Sequence, residues 1–393
     1  MDGHSISFDI RKYQYGGKAS EIVTMTEDLY IPGPITVRDE VLEMMKSPPY
    51  GHRAKDISER LERIRAHTKT LLFTEDEGNY GPYEIVISTS SGTGLMEAAV
   101  RNCVSLSCLN VSIGAFGNLW HKITKANGKR AELLEFEWGR AADPGIIEEK
   151  LAGGDYDAIT ITQNETSTGT RNHLKEISKV IKEVNESRPV TFMVDAVSSM
   201  GGDKIEVGRL GIDFIVGSSQ KCMGLPPGIA IAAVSEGAMS KASKVDNRGF
   251  YFDLLEFKKS NEKLQTPSTP CEALIDALDY QLKYIIHEEG LQARFDRHEK
   301  LARIARTWAN EHFELFPDEK DASNTVTCIK NIKDVDLTLL KSNLADKGYL
   351  FDGGYRGLRE RGISTFRIPH MGDRREEDFV KYLEDIELLL NLG

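Results

Sequence analysis

At 393 residues, 40% hydrophobic and 28% charged, the chain is long enough for two domains and a large buried core. Its 50 basic residues against 61 acidic give a net charge of −11, which argues against nucleic acid or an anionic membrane surface as a default partner. The first twenty residues include Asp2, Asp9, Arg11, Lys12 and Lys18 and lack an apolar core, and no run approaches the ~18 apolar residues of a membrane span; a soluble, cytoplasmic protein is expected.

In chain order, the first strong pattern is an amphipathic helix predicted over about 54–72, with Ile57, Leu61, Ile64 and Leu71 on one face. Strand-like runs follow near 84–89, 108–113, 131–136, 157–162, 190–194, 213–217 and 229–234, alternating with helical stretches as βαβ units do. The expected fold class is therefore α/β, with a mainly parallel seven-stranded sheet covered on both faces. After Pro270 the pattern changes to charged helices around 271–313, short strands at 325–330 and 364–368 and a final helix from about 375, which predicts a smaller α+β domain. There are no internal repeats or low-complexity segments.

The turn Gly217-Ser218-Ser219-Gln220-Lys221-Cys222-Met223-Gly224 puts one lysine between two apolar runs, where desolvation lowers an amine's pKa and makes it a nucleophile. A solvated loop lysine would look the same in isolation. Asp195 lies 26 residues upstream, at the carboxyl end of the apolar run Val190–Val194. An aspartate and a lysine at the ends of neighbouring strands meet the needs of pyridoxal phosphate (PLP), the lysine forming a Schiff base and the aspartate keeping the pyridine nitrogen protonated. Ser90-Ser91-Gly92-Thr93-Gly94, between a strand-like run and an apolar helix, supplies free N–H groups and a helix dipole to an anion, though an ordinary helix start reads alike. It matches neither common nucleotide-binding fingerprint.

Taken together these residues resemble the class V aminotransferases of PLP fold type I, most closely the alanine–glyoxylate and serine–pyruvate or serine–glyoxylate branch. The resemblance runs in order through Ile31-Pro32-Gly33-Pro34, Gly51-His52-Arg53, Ser91-Gly92-Thr93-Gly94, Phe116-Gly117, Asn164-Glu165-Thr166-Ser167-Thr168-Gly169, Asp195–Gly202, Ser219-Gln220-Lys221 and Phe366-Arg367-Ile368. It covers roughly residues 29–393, and implies an N-terminal extension (1–28), a large PLP-binding domain (29–270) and a small C-terminal domain (271–393). Residues 1–28 match no motif and are expected to pack on the small domain or a partner, or to stay mobile.

Carried over residue by residue, the resemblance implies that Lys221 holds PLP and moves the substrate proton, while Asp195 pairs with the pyridine nitrogen. Phe116 and Val197 would flank the ring, with Thr166 near its hydroxyl, although core packing and a turn hydroxyl are the plain alternatives. Ser91, Gly92, Thr93 and Gln220 would hold the phosphate, joined by Ser268 and Thr269 of a partner subunit, which implies a homodimer with shared active sites. Arg367 resembles the arginine that clamps the substrate carboxylate, helped by Ser199 and the backbone at Gly33. One departure is Pro369-His370, where the family usually has glycine after the isoleucine; His370 is expected to face solvent.

The implied activity is a PLP-dependent transamination from alanine or serine to glyoxylate or pyruvate, by a ping-pong mechanism. Transaminases of 2-aminoethylphosphonate or ureidoglycine are the near alternatives, and a desulfurase or lyase, which needs a mobile catalytic cysteine, is a more distant one. Cys103, Cys108, Cys222, Cys271 and Cys328 form no C-x-x-C pair and read as free thiols of a reducing compartment, Cys222 as packing and Cys328 as a strand residue. No His/Cys cluster has metal-ligand spacing, so no metal is expected.

Overall fold

A computed structural model describes residues 27–74 and 82–392. The expectation for residues 1–28 therefore lies almost wholly outside the described residues.

The seven strand-like runs form β1 (Tyr83–Ser88), β2 (Ser107–Ser112), β3 (Arg130–Glu135), β4 (Ala158–Thr162), β5 (Thr191–Asp195), β6 (Phe214–Ser218) and β7 (Ala230–Ser235). They make one sheet in the order β1-β7-β6-β5-β4-β2-β3. Only β7 runs against its neighbours, and the other pairs are parallel. The fold is α/β, with a mostly parallel central sheet, as the periodicity predicts. The inner strands are largely apolar because both faces are covered, whereas the edge strand β3, with Arg130, Glu132 and Glu135, is only partly buried. Ile159, Ile161, Phe192, Val194, Ile215 and Ile231 enter one core, while Ala158, Met193, Phe214, Val216, Ala230 and Ala232 enter another on the opposite face. This alternation is the period of two that a pleated strand imposes. Each fully buried Ile or Phe contributes ~1.5–3 kcal/mol of burial.

Helix α1 (Lys55–Leu71) buries Ile57, Leu61, Ile64 and Leu71 as expected, together with Thr68. Helix α2 (Gly92–Cys103) follows β1, and α3 (Ala115–Ala126) follows β2. The charged region after Pro270 forms α4 (Glu272–Lys283), a π-helical turn (Tyr284–Glu289), and α5 (Leu291–His312), broken at Gly290 with φ +82°. Beyond it lie β8 (Val326–Lys330), β9 (Tyr349–Phe351), β10 (Thr365–Pro369) and helix α6 (Glu376–Leu390). A third core gathers Trp308, Ile329, Phe351, Phe366, Ile368, Phe379 and Tyr382. Tyr30, from the strand Asp28–Tyr30 that pairs with β9, joins it by stacking on Tyr382 at 3.5 Å between ring centres.

His370 is not solvent-facing. Phe366, Ile368 and His370 share one parity, so the strand that buries the first two also buries the third. Its ring nitrogen lies 3.1 Å from Thr327 Oγ1 and its ring packs edge-on against Phe379. Burial pushes its pKa down to about 3. Pro369 ends β10 opposite Val326, and the next N–H, that of His370, donates to Thr325 O at 3.0 Å.

Candidate active site

The carboxyl ends of the parallel strands converge on one cavity of about 150 Å³, as α/β sheets place their sites. Asp195 is the last residue of β5, opposite Thr162 of β4 and Val216 of β6. Lys221 stands in the turn that leaves β6. Both side chains line the cavity.

Around them, Ser91, Gly92 and Thr93 come from the start of α2, Phe116 from the start of α3, and Val197 and Gln220 from the turns after β5 and β6. Thr166 lies in the short hairpin after β4 and also lines the cavity. Sequence reasoning did not single out Met96, Asn164 and Ser198, which complete the wall. Asn164 Nδ2 is fixed by Ser198 Oγ at 2.7 Å and Thr325 Oγ1 at 3.0 Å, while its buried Oδ1 has no partner among the described residues.

The site suits an anion at one end. Ser91 is the extended N-cap of α2 without a side-chain cap, so the first N–H groups of a twelve-residue helix remain available. Gly92 lets them approach, since a Cβ there would lie 2.6 Å from Val197 Cγ2. At the other end Asp195 accepts from Val197 N–H at 2.8 Å, and no basic side chain among the described residues comes within 4.0 Å of it. Burial pushes its pKa up to about 7, so a cationic N–H donor placed against it would be held strongly.

Lys221 is brought to about 8, mainly by burial and then by the charge of Arg367, which leaves a useful fraction as free amine near neutral pH. Its Nζ donates to Pro32 O. Gly33, at φ +95°, is forced by this contact: a Cβ there would stand 2.6–2.7 Å from the lysine side chain. The backbone of Pro32 and Gly33 thus packs directly against the lysine.

Arg367 on β10 is buried with three of its five N–H donors engaged. Nε and Nη2 grip Asp352 at 2.8 and 2.9 Å, and Nη1 donates to Thr166 O at 2.9 Å. Ser199 is buried, with its Oγ unpaired among the described residues, and does not line the cavity. Ser268 and Thr269 do not reach it either. They are exposed, in a separate crevice with Thr89 and Tyr251.

Glu165 went unassigned in sequence, inside a motif otherwise read for its hydroxyls. It is fully buried and accepts from Phe116 N–H (2.9 Å), Gly117 N–H (3.2 Å), Ser167 N–H (3.1 Å) and Ser167 Oγ (2.5 Å). A carboxylate at a helix start is favourable, and this one pins the first turn of α3 and so the backbone of Phe116. A negative charge in a Ser/Thr-rich turn was the available signal.

The buried cysteines offer no nucleophile to the site. Cys222 and Cys328 are fully buried, with thiols pushed up to about 12 by burial. All five cysteines are free.

Residues 44–357 match the family model described as aminotransferase class-V. The chain belongs to the class V aminotransferases. An uncharacterized aminotransferase of Methanocaldococcus jannaschii is 38% identical, over 92% of each chain. The serine–glyoxylate aminotransferase of Methylorubrum extorquens is 29% identical over 92% of this chain and 90% of its own. Among solved structures, alanine–glyoxylate aminotransferase from Nostoc sp. superposes with a TM-score of 0.85 at 24% identity, covering 98% of this chain and 100% of its own. The fold is that of the PLP fold type I aminotransferases, and the enzyme is a transaminase. No helix among the described residues is long and apolar enough to cross a membrane.

Proposed function

We propose that this aminotransferase uses PLP to move an amino group from a small amino acid, alanine or serine, to a small 2-oxo acid, glyoxylate or pyruvate, by a ping-pong mechanism. The observation that carries this reading is the joint placement of Lys221, Asp195 and the amide-rich start of α2 around one cavity. When bound, the cofactor supplies an electron sink that stabilises negative charge on the substrate carbon.

The protein's own residues do the rest. Asp195 would hold the ring nitrogen protonated, and the first N–H groups of α2, with Ser91, Thr93 and Gln220, would hold the phosphate. Phe116 and Val197 would flank the ring, while Thr166 would orient its hydroxyl. Lys221 would anchor the cofactor through its Nζ and would accept and return the substrate proton there as general base and acid. Arg367 would receive the substrate carboxylate, with Ser199 and the backbone at Gly33 alongside, all three lying just behind the residues that line the cavity. Two donors of Arg367, one on each terminal nitrogen, are uncommitted, which matches a carboxylate's two oxygens.

We further propose a cytoplasmic homodimer in which Ser268 and Thr269 of one subunit serve the partner's phosphate site. Their exposure beside Tyr251, with Phe250 90% exposed next to it, supports this. The division into 29–270 and 271–393 is proposed likewise. The deciding experiment is a matrix of amino donors against 2-oxo acids, read as the absorbance change between the aldehyde and amine forms of the bound cofactor. Turnover confined to donors other than alanine and serine would overturn the substrate assignment.

A further inference from the structure

Asp352 reaches Arg367 by a local device. Strand β9 ends at Phe351, and Asp352 then pairs with Arg367 as an isolated antiparallel bridge, Arg367 N–H donating to Asp352 O at 3.2 Å. The chain must turn away at once. Gly354 does so at φ +89°, where a Cβ would stand 2.0 Å from Thr365 O, and Asp352 Oδ1 accepts from Gly354 N–H at 3.0 Å. The same carboxylate grips the guanidinium side-on with both oxygens. Thr166 O holds the third donor, and the Tyr355 ring centre lies 5.6 Å from the guanidinium carbon. Asp352 and Tyr355 also line a groove of about 810 Å³ that touches Ile31, next to the backbone that packs against Lys221.

We propose that Asp352 is a positioning residue for substrate binding: it fixes the plane of Arg367 so that the two remaining N–H donors stay paired for an incoming carboxylate. This rests on the reading of Arg367 as the carboxylate clamp. Charge and geometry make opposite forecasts. If net charge governed, removing Asp352 would leave a more cationic arginine and tighten carboxylate binding. If orientation governs, removal frees a long side chain to turn about its own bonds and weakens binding by about tenfold, the scale of one immobilised side chain. A planar two-point contact depends on orientation more than on charge alone, so the weakening prevails.

The test uses the PLP-loaded enzyme. Dissociation constants for L-alanine, L-serine and ethylamine, which lacks a carboxylate, are read from cofactor absorbance, beside KM, kcat and the melting temperature. Asp352→Asn raises the constants and KM for the amino acids about tenfold, while kcat, the ethylamine constant and the cofactor spectrum hold; a merely structural role would move the melting point and cofactor retention instead. Asp352→Glu, which keeps the charge and displaces the fork, also weakens the amino acids and decides the matter if the asparagine variant does not fold. Wild-type affinity or tighter binding in these variants, with Arg367→Ala clearly weakened, overturns the role of Asp352 alone. Unchanged amino-acid binding in Arg367→Ala, or a wild-type enzyme that binds neither amino acid, overturns the carboxylate-clamp reading itself.

Discussion

The central sheet and the β8–β10 region contribute to the site by different means. The sheet is held by apolar side chains that alternate between two cores, and its functional residues sit where strands end and burial is already complete. The β10 region places Arg367 by a specific ion pair with a residue fifteen positions away, and buries His370 in the core beneath. Burial alone can place a loop at a strand end, whereas aiming a guanidinium takes a matched partner.

The comparison can be broken or sharpened in steps. The largest effect belongs to the sheet side. Lys221→Ala stops transamination while the fold persists, and borohydride, which fixes the cofactor onto Lys221 in the parent enzyme, leaves the variant unlabelled by peptide mass spectrometry. Labelling of another lysine in the parent would remove Lys221 from its role. Next comes Arg367→Ala. Losing a charged hydrogen-bonding partner costs ~1.5–3 kcal/mol, so kcat/KM for amino acids falls roughly ten- to a hundred-fold with the cofactor spectrum intact. Unchanged kinetics across all amino acids and oxo acids would show that the site binds no carboxylate there.

Glu165→Ala probes whether the strand-end loops need polar clamps of their own. It leaves buried N–H groups at the start of α3 without an acceptor, at ~1–3 kcal/mol of stability. Both the urea midpoint and PLP affinity decline, and a variant with the parent's midpoint would refute the clamp. The smallest effect is the pH response of His370. With a folded pKa near 3 against ~6.5 unfolded, the unfolded chain binds the proton first, so stability is full above about 6.5 and is lost as pH falls. Between pH 7 and 5.5 the loss is ~1 kcal/mol for this one group. His370→Leu removes that part of the slope in urea titrations, and an unaltered slope would show that His370 does not titrate as described.

Much of this was legible in the sequence. The seven strands follow from apolar runs too short for helices, and Lys221, Asp195, Phe116, Thr166, Val197, Gln220 and the Ser91–Thr93 loop share one cavity because each lies at or just beyond the carboxyl end of a strand of one sheet. What escaped depends on partners distant in sequence. Glu165 looks like a surface carboxylate until the start of α3 is folded against it. Asp352 gains meaning only once β10 is in register beside it. The solvent position expected of His370 overlooks its parity with Phe366 and Ile368, which points inward. Ser268 and Thr269 lie outside the cavity of their own chain, so their assignment rests on a second subunit.

Strand β7 carries a consequence for how the enzyme comes into being. It is the last strand of the large sheet in sequence, yet it lies between β1 and β6, pairing Ser88 with Ala230 and Ser218 with the same residue. During synthesis β1 therefore waits for some 140 residues before its neighbour exists, a long loop whose closure is slow. The start of α2 is tethered to β1, and Lys221 to β6. The anion cradle and the lysine thus come to face each other only when β7 slides in between, so recovery of cofactor binding in a refolding experiment times the closing of the sheet itself.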